Sequence, residues 1–66
     1  METWKITITF ENTNTGTRKK VKARKGFPDL TPIIDIDDEL IKEASKQLPK
    51  GNWEADLSNH NGPEEV

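Results

Sequence analysis

The chemistry available to this chain is concentrated in one run, Arg18-Lys19-Lys20-Val21-Lys22-Ala23-Arg24-Lys25, which sets six cations within eight residues. In an extended strand successive side chains alternate faces, and every second residue stands roughly 6.5–7 Å further along the axis. Val21 and Ala23 then share one face, and Arg18, Lys20, Lys22 and Arg24 share the other. That spacing approximates the step between phosphates along a nucleic-acid strand, and a two-stranded ribbon fits the major groove of B-DNA. The same pattern has a plainer use, because lysine-rich edge strands discourage pairing with other chains. Lys5, Thr7 and Thr9 fall on the same face one strand away and extend the basic surface.

A second cluster, Asp35, Asp37, Asp38 and Glu39, is acidic. A calcium loop of the D-x-D-x-D-G kind needs a glycine and a distant glutamate to wrap carboxylates around the ion. The glycine is missing and these residues open a helix, so capping and the helix dipole account for them and no metal is expected. With Glu43 they leave an acidic helix surface, of which Asp38, Glu39 and Glu43 are the residues placed to meet a partner. His60 is the only histidine, flanked by asparagines, with no carboxylate beside it to set a tautomer. Ser45 and Ser58 have no neighbouring base, and no glycine-rich phosphate loop occurs. The chain reads as a protein that is not an enzyme and takes no cofactor.

The elements that carry these clusters follow from hydrophobic spacing. Trp4 to Phe10 alternates strictly, with Trp4, Ile6, Ile8 and Phe10 on one side, as in a half-buried strand. Asn12-Thr13-Asn14-Thr15-Gly16 breaks the run as a turn, and a second strand over about residues 17–25 completes a hairpin. Phe27-Pro28-Asp29-Leu30-Thr31-Pro32 is a crossing segment, since two prolines four apart exclude a ladder strand. Asp35 or Asp37 caps a helix whose apolar stripe is Ile36, Leu40, Ile41, Ala44 and Leu48, ended by Pro49. Trp53-Glu54-Ala55-Asp56-Leu57 alternates again as a short third strand, with Trp53, Ala55 and Leu57 inward and Glu54 and Asp56 on the face that carries the cations.

Helix over sheet is the packing solution for this order. The expected fold is α+β, a small two-layer β-β-α-β sandwich with a three-stranded sheet, order 2-1-3 favoured, and one helix on one face. An all-antiparallel order with the third strand beside the second is the alternative. The arrangement is similar at fold level to sheet-type DNA-binding domains and β-grasp-like folds, a likeness that carries no functional residues with it. Residues 1–57 are expected to form the single domain and 58–66 a flexible polar C-terminal tail.

Composition bounds the rest. A chain of 66 residues has room for one core, and 30% hydrophobic against 33% charged residues makes that core lean. No cysteine is present to staple it. No stretch approaches the roughly 20 apolar residues of a membrane span, so a cytoplasmic protein without membrane attachment is expected. The net charge of −2 is split, with seven Lys/Arg against two acids in residues 1–27 and three against ten in residues 28–66. Overall acidity argues against blanket affinity for nucleic acid, while two oppositely charged surfaces suit a partner of complementary charge. The functional expectation is a small non-catalytic protein-binding module, a regulator, inhibitor or adaptor, acting as monomer or homodimer. Its sites are the basic sheet face, Lys5, Arg18, Lys20, Lys22 and Arg24, and the acidic helix surface. Nucleic-acid binding by the outer face of the hairpin is the alternative.

Overall fold

A computed structural model describes residues 1–57 and 62–66 of the chain. Strands β1 (Glu2–Asn12) and β2 (Arg18–Phe27) form an antiparallel hairpin, helix α1 (Ile33–Ser45) crosses it, and β3 (Trp53–Ala55) returns to β1. The sheet order is β2-β1-β3, all antiparallel, in a small α+β fold as the spacing of apolar residues predicts.

Register in the hairpin is set by the apolar alternation. Ile8 lies opposite Val21 and Ile6 opposite Ala23 on the helix side, and a slip of β2 by one residue would send Val21 and Ala23 into water. The turn locks that register locally. Asn12 N–H donates to Thr17 C=O at 2.8 Å, and the Asn12 carboxamide oxygen accepts from the Asn14 and Thr15 amides. Gly16 takes φ 75°, a conformation open to glycine at little cost.

The core is one cluster of Ile6, Ile8, Phe10, Val21, Ala23, Phe27, Ile36, Leu40 and Ala44. Trp4, Ile41, Leu48, Trp53 and Ala55 pack half-buried around it. Both indole N–H groups are satisfied: Trp4 donates to Glu2 and Trp53 to the Pro49 carbonyl.

Four details depart from the sequence expectations. The second strand continues to Phe27, which is core rather than crossing segment. The helix starts at Ile33 behind Pro32, with no side-chain cap, so Asp35 sits in its first turn and neither Asp35 nor Asp37 is the cap. Pro32 holds φ −59° and ψ 141°, which sets the extended entry that a capping side chain would otherwise fix. The third strand ends at Ala55, and Leu57 is 63% exposed rather than inward. Finally, part of the segment read as a tail is paired. Glu64–Glu65 forms β4 on β1, opposite Lys5 and Trp4, and Val66 N–H donates to Thr3 C=O at 2.8 Å.

Candidate functional site

Pairing places the basic residues. Directly opposite residues of an antiparallel pair share a face. The outer face therefore runs Arg18–Glu11, Lys20–Thr9, Lys22–Thr7 and Arg24–Lys5 across β2 and β1. All four outward residues of β2, Arg18, Lys20, Lys22 and Arg24, are exposed, while Val21 and Ala23 between them are buried. Lys5 joins them on β1.

Carboxylates reach this face from both ends. Glu54 lies opposite Glu11. Arg18 is held by Glu11 at 3.4 Å and by Asp56, whose side chain is largely shielded from water. Glu64 lies across β1 from Lys5. One end of the face is thus neutralised within the chain. The other is not: among the described residues Lys5, Lys20, Lys22 and Arg24 have no carboxylate within 4 Å, whereas Arg18 has two and Lys25, Lys42, Lys46 and the N-terminal amine one each.

Beside the unpaired cations the surface dips. A depression of about 310 Å³ is lined by Lys5, Ile6, Thr7, Lys22, Arg24, Gly62 and Glu64. Its lining comes from neighbouring positions of β1 and β2 and from Gly62 and Glu64 beside β1.

The backbone of β2 offers a second feature. β2 ends the sheet, so the N–H and C=O groups of its even-numbered residues point away from β1. Gln47 donates its carboxamide N–H to the Lys22 carbonyl at 2.8 Å and so reaches over this edge from the end of the helix.

The acidic helix surface is less available than the basic one. Glu39 sits between Lys25 and Lys42, each at 3.5 Å, and Glu43 is 3.1 Å from Lys46. The charge of Lys42, then the hydrogen bond and charge of Lys25, hold the Glu39 carboxyl below its ordinary value. Asp38 is exposed with no cation within 4 Å among the described residues. His60 and Ser58 lie outside the described residues. Ser45 donates its hydroxyl to the Lys42 carbonyl, an ordinary helix-end contact. Among the described residues no three His, Cys, Asp or Glu side chains converge as metal ligands, and no helix is long and apolar enough to cross a membrane.

An apolar prominence was not legible in the sequence. Leu30 is 96% exposed, Ile33 56% and Ile34 68%. Three isoleucines within Ile33-Ile34-Asp35-Ile36 cannot all face the sheet at 100° per residue, and only Ile36 does. Leu30 also holds φ 66°. It is the third residue of a turn closed by Thr31 N–H on Pro28 C=O, a position that favours glycine. A left-handed leucine costs about 1–2 kcal/mol, and its side chain returns nothing through burial. Leu30→Gly should therefore raise stability by roughly 0.5–1 kcal/mol after glycine's own entropy cost. Urea unfolding followed by circular dichroism would read this, and a loss of stability would mean that Leu30 packs on the domain.

Compared with models of protein families, with curated proteins and with solved structures, the chain finds no match.

Proposed function

We propose that the chain is a small protein-binding module that takes an acidic, extended segment of a partner along β2. The observation that supports this best is a ten-residue edge strand whose outward cations Lys20, Lys22 and Arg24 have no carboxylate within 4 Å among the described residues. Strand addition would satisfy the outward N–H groups and, with Gln47 displaced from the Lys22 carbonyl, the outward C=O groups, while acidic side chains on alternate residues of the added segment would face the cations. Pairing β2 with β2 of a second copy would oppose lysine to lysine, so the edge favours a different chain over its own.

Nucleic-acid binding by the outer face remains the second reading, motivated by the same unpaired cations. Glu11, Glu54, Asp56 and Glu64 interrupt the positive surface, and the whole chain is acidic. Phosphates tracking the whole strand would meet the Glu11, Glu54 and Asp56 carboxylates at the Arg18 end.

A peptide of alternating glutamate and valine separates the two. Affinity for it should fall at least tenfold in the Lys20→Glu, Lys22→Glu double variant, a loss of about 1.4 kcal/mol. Unchanged affinity would remove the reading. A DNA duplex titrated at about 50 mM salt should give no binding; binding with a log–log salt slope near −0.9 per phosphate would favour the nucleic-acid reading instead.

A further inference from the structure

Lys5 and Arg24 stand directly opposite each other across β1 and β2, and Lys22 follows two residues along on the same face. Like charges in such a cross-strand pair repel. Surface acids are plentiful in this chain and neutralise Arg18, Lys25, Lys42 and Lys46, yet none among the described residues comes within 4 Å of Lys5, Lys22 or Arg24. These three cations, Ile6 and Thr7 line the same depression of about 310 Å³, together with Gly62 and Glu64. Thr7 lies opposite Lys22, so the threonine and the three cations mark the corners of a patch two residues long and two strands wide.

We infer that this depression is a binding site for a phosphate-type dianion carried by a small molecule. Among the described residues of the lining, three cations against one carboxylate leave two positive charges, which a doubly charged phosphate matches and a single carboxylate does not. Arg24 offers the planar fork of donors that suits a phosphate, Lys5 and Lys22 offer ammonium groups, and the Thr7 hydroxyl can donate. The space is at the lower end of ligand clefts, about 300–1,000 Å³, so a phosphate with a small attached group fits and a polymer does not. Glu64, delivered by the two-residue strand β4, supplies negative charge to the lining and competes with the ligand.

The inference goes beyond the protein-binding reading, because it needs no partner and does not use Lys20, which lines no part of the depression. Titrating the full chain with inorganic phosphate at low ionic strength, with acetate as the monoanion control, and following backbone amides by NMR tests it. Saturable shifts are expected at Lys5, Thr7, Lys22 and Arg24, with much smaller ones in acetate. Arg24→Gln should weaken binding, Lys20→Glu should leave the shift pattern in place, and Glu64→Gln should tighten it about three- to tenfold by removing a charge near the dianion. Shifts spread equally over Lys42, Lys46 and Lys50, or a Glu64→Gln variant with unchanged affinity, would overturn the assignment. Peptide binding lost on Lys20, Lys22 reversal while Glu64→Gln leaves phosphate unaffected would retain the module and discard this site. Phosphate binding without peptide binding would do the reverse.

Discussion

Leu40→Ala should remove about 2–5 kcal/mol of stability, the largest loss expected of any single truncation in this core. Leu40 is fully buried between the helix and the sheet, on the stripe with Ile36 and Ala44. Truncating a buried leucine removes its transfer energy and leaves a cavity, together about 2–5 kcal/mol. A domain of this length has a total stability of roughly 3–10 kcal/mol at about 0.05–0.15 kcal/mol per residue. With one helix over a lean sheet and no disulfide, no other element can take up the lost contact. Thermal unfolding by circular dichroism measures the loss. A change below about 1 kcal/mol would mean that the helix does not rest on Ile6, Ile8 and Val21 in solution.

Gly51→Ala is the second large effect, and its cause is different. Gly51 has φ 148°, a conformation that L side chains rarely adopt. A Cβ there would lie 2.9 Å from Asn12 Nδ2 and 3.2 Å from Trp53 Nε1. Neither neighbour is free to retreat. The Asn12 carboxamide oxygen accepts two turn amides, and the Trp53 indole donates to the Pro49 carbonyl. Gly16→Ala is the matched control, since Gly16 also has positive φ but a Cβ there would meet nothing within 4 Å. We expect about 1 kcal/mol of destabilisation for Gly16→Ala and about 2–3 kcal/mol for Gly51→Ala. Equal losses at both sites would mean that the contact between the β3 entry and the hairpin turn contributes nothing.

The hairpin and helix were legible because burial on one face imposes a period. Trp4 to Phe10 alternates at two, Ile36 to Leu48 recurs at three to four, and both patterns survive in the core. The outward grouping of Arg18, Lys20, Lys22 and Arg24 came from the same source, since Val21 and Ala23 left the cations only one side. What was not legible depends on partners far along the chain. Glu64–Glu65 carries no apolar pattern and forms a strand because β1 has an edge to offer. Leu57 ends an alternation that suggests burial, but β3 stops at Ala55 and nothing shelters it. Helix entry was misplaced because Pro32 fixes the backbone without any side-chain oxygen to announce it. The neutralised end of the basic face also needed coordinates: Glu11 meets Arg18 only once the turn length is known. The remainder with no carboxylate within 4 Å among the described residues, Lys5, Lys20, Lys22 and Arg24, emerges only after these pairs are subtracted.

The direct test of the account is a residue-by-residue amide map of the chain with the glutamate–valine peptide added. If the peptide extends the sheet, the outward-pointing amides of Lys20, Lys22 and Arg24 become protected from exchange and shift most. Those of Lys19, Val21 and Ala23, already bonded to β1, change little. A map in which β2 stays silent while Leu30, Ile33 and Ile34 or the Asp38–Glu43 surface respond would contradict the assignment of β2 as the binding edge.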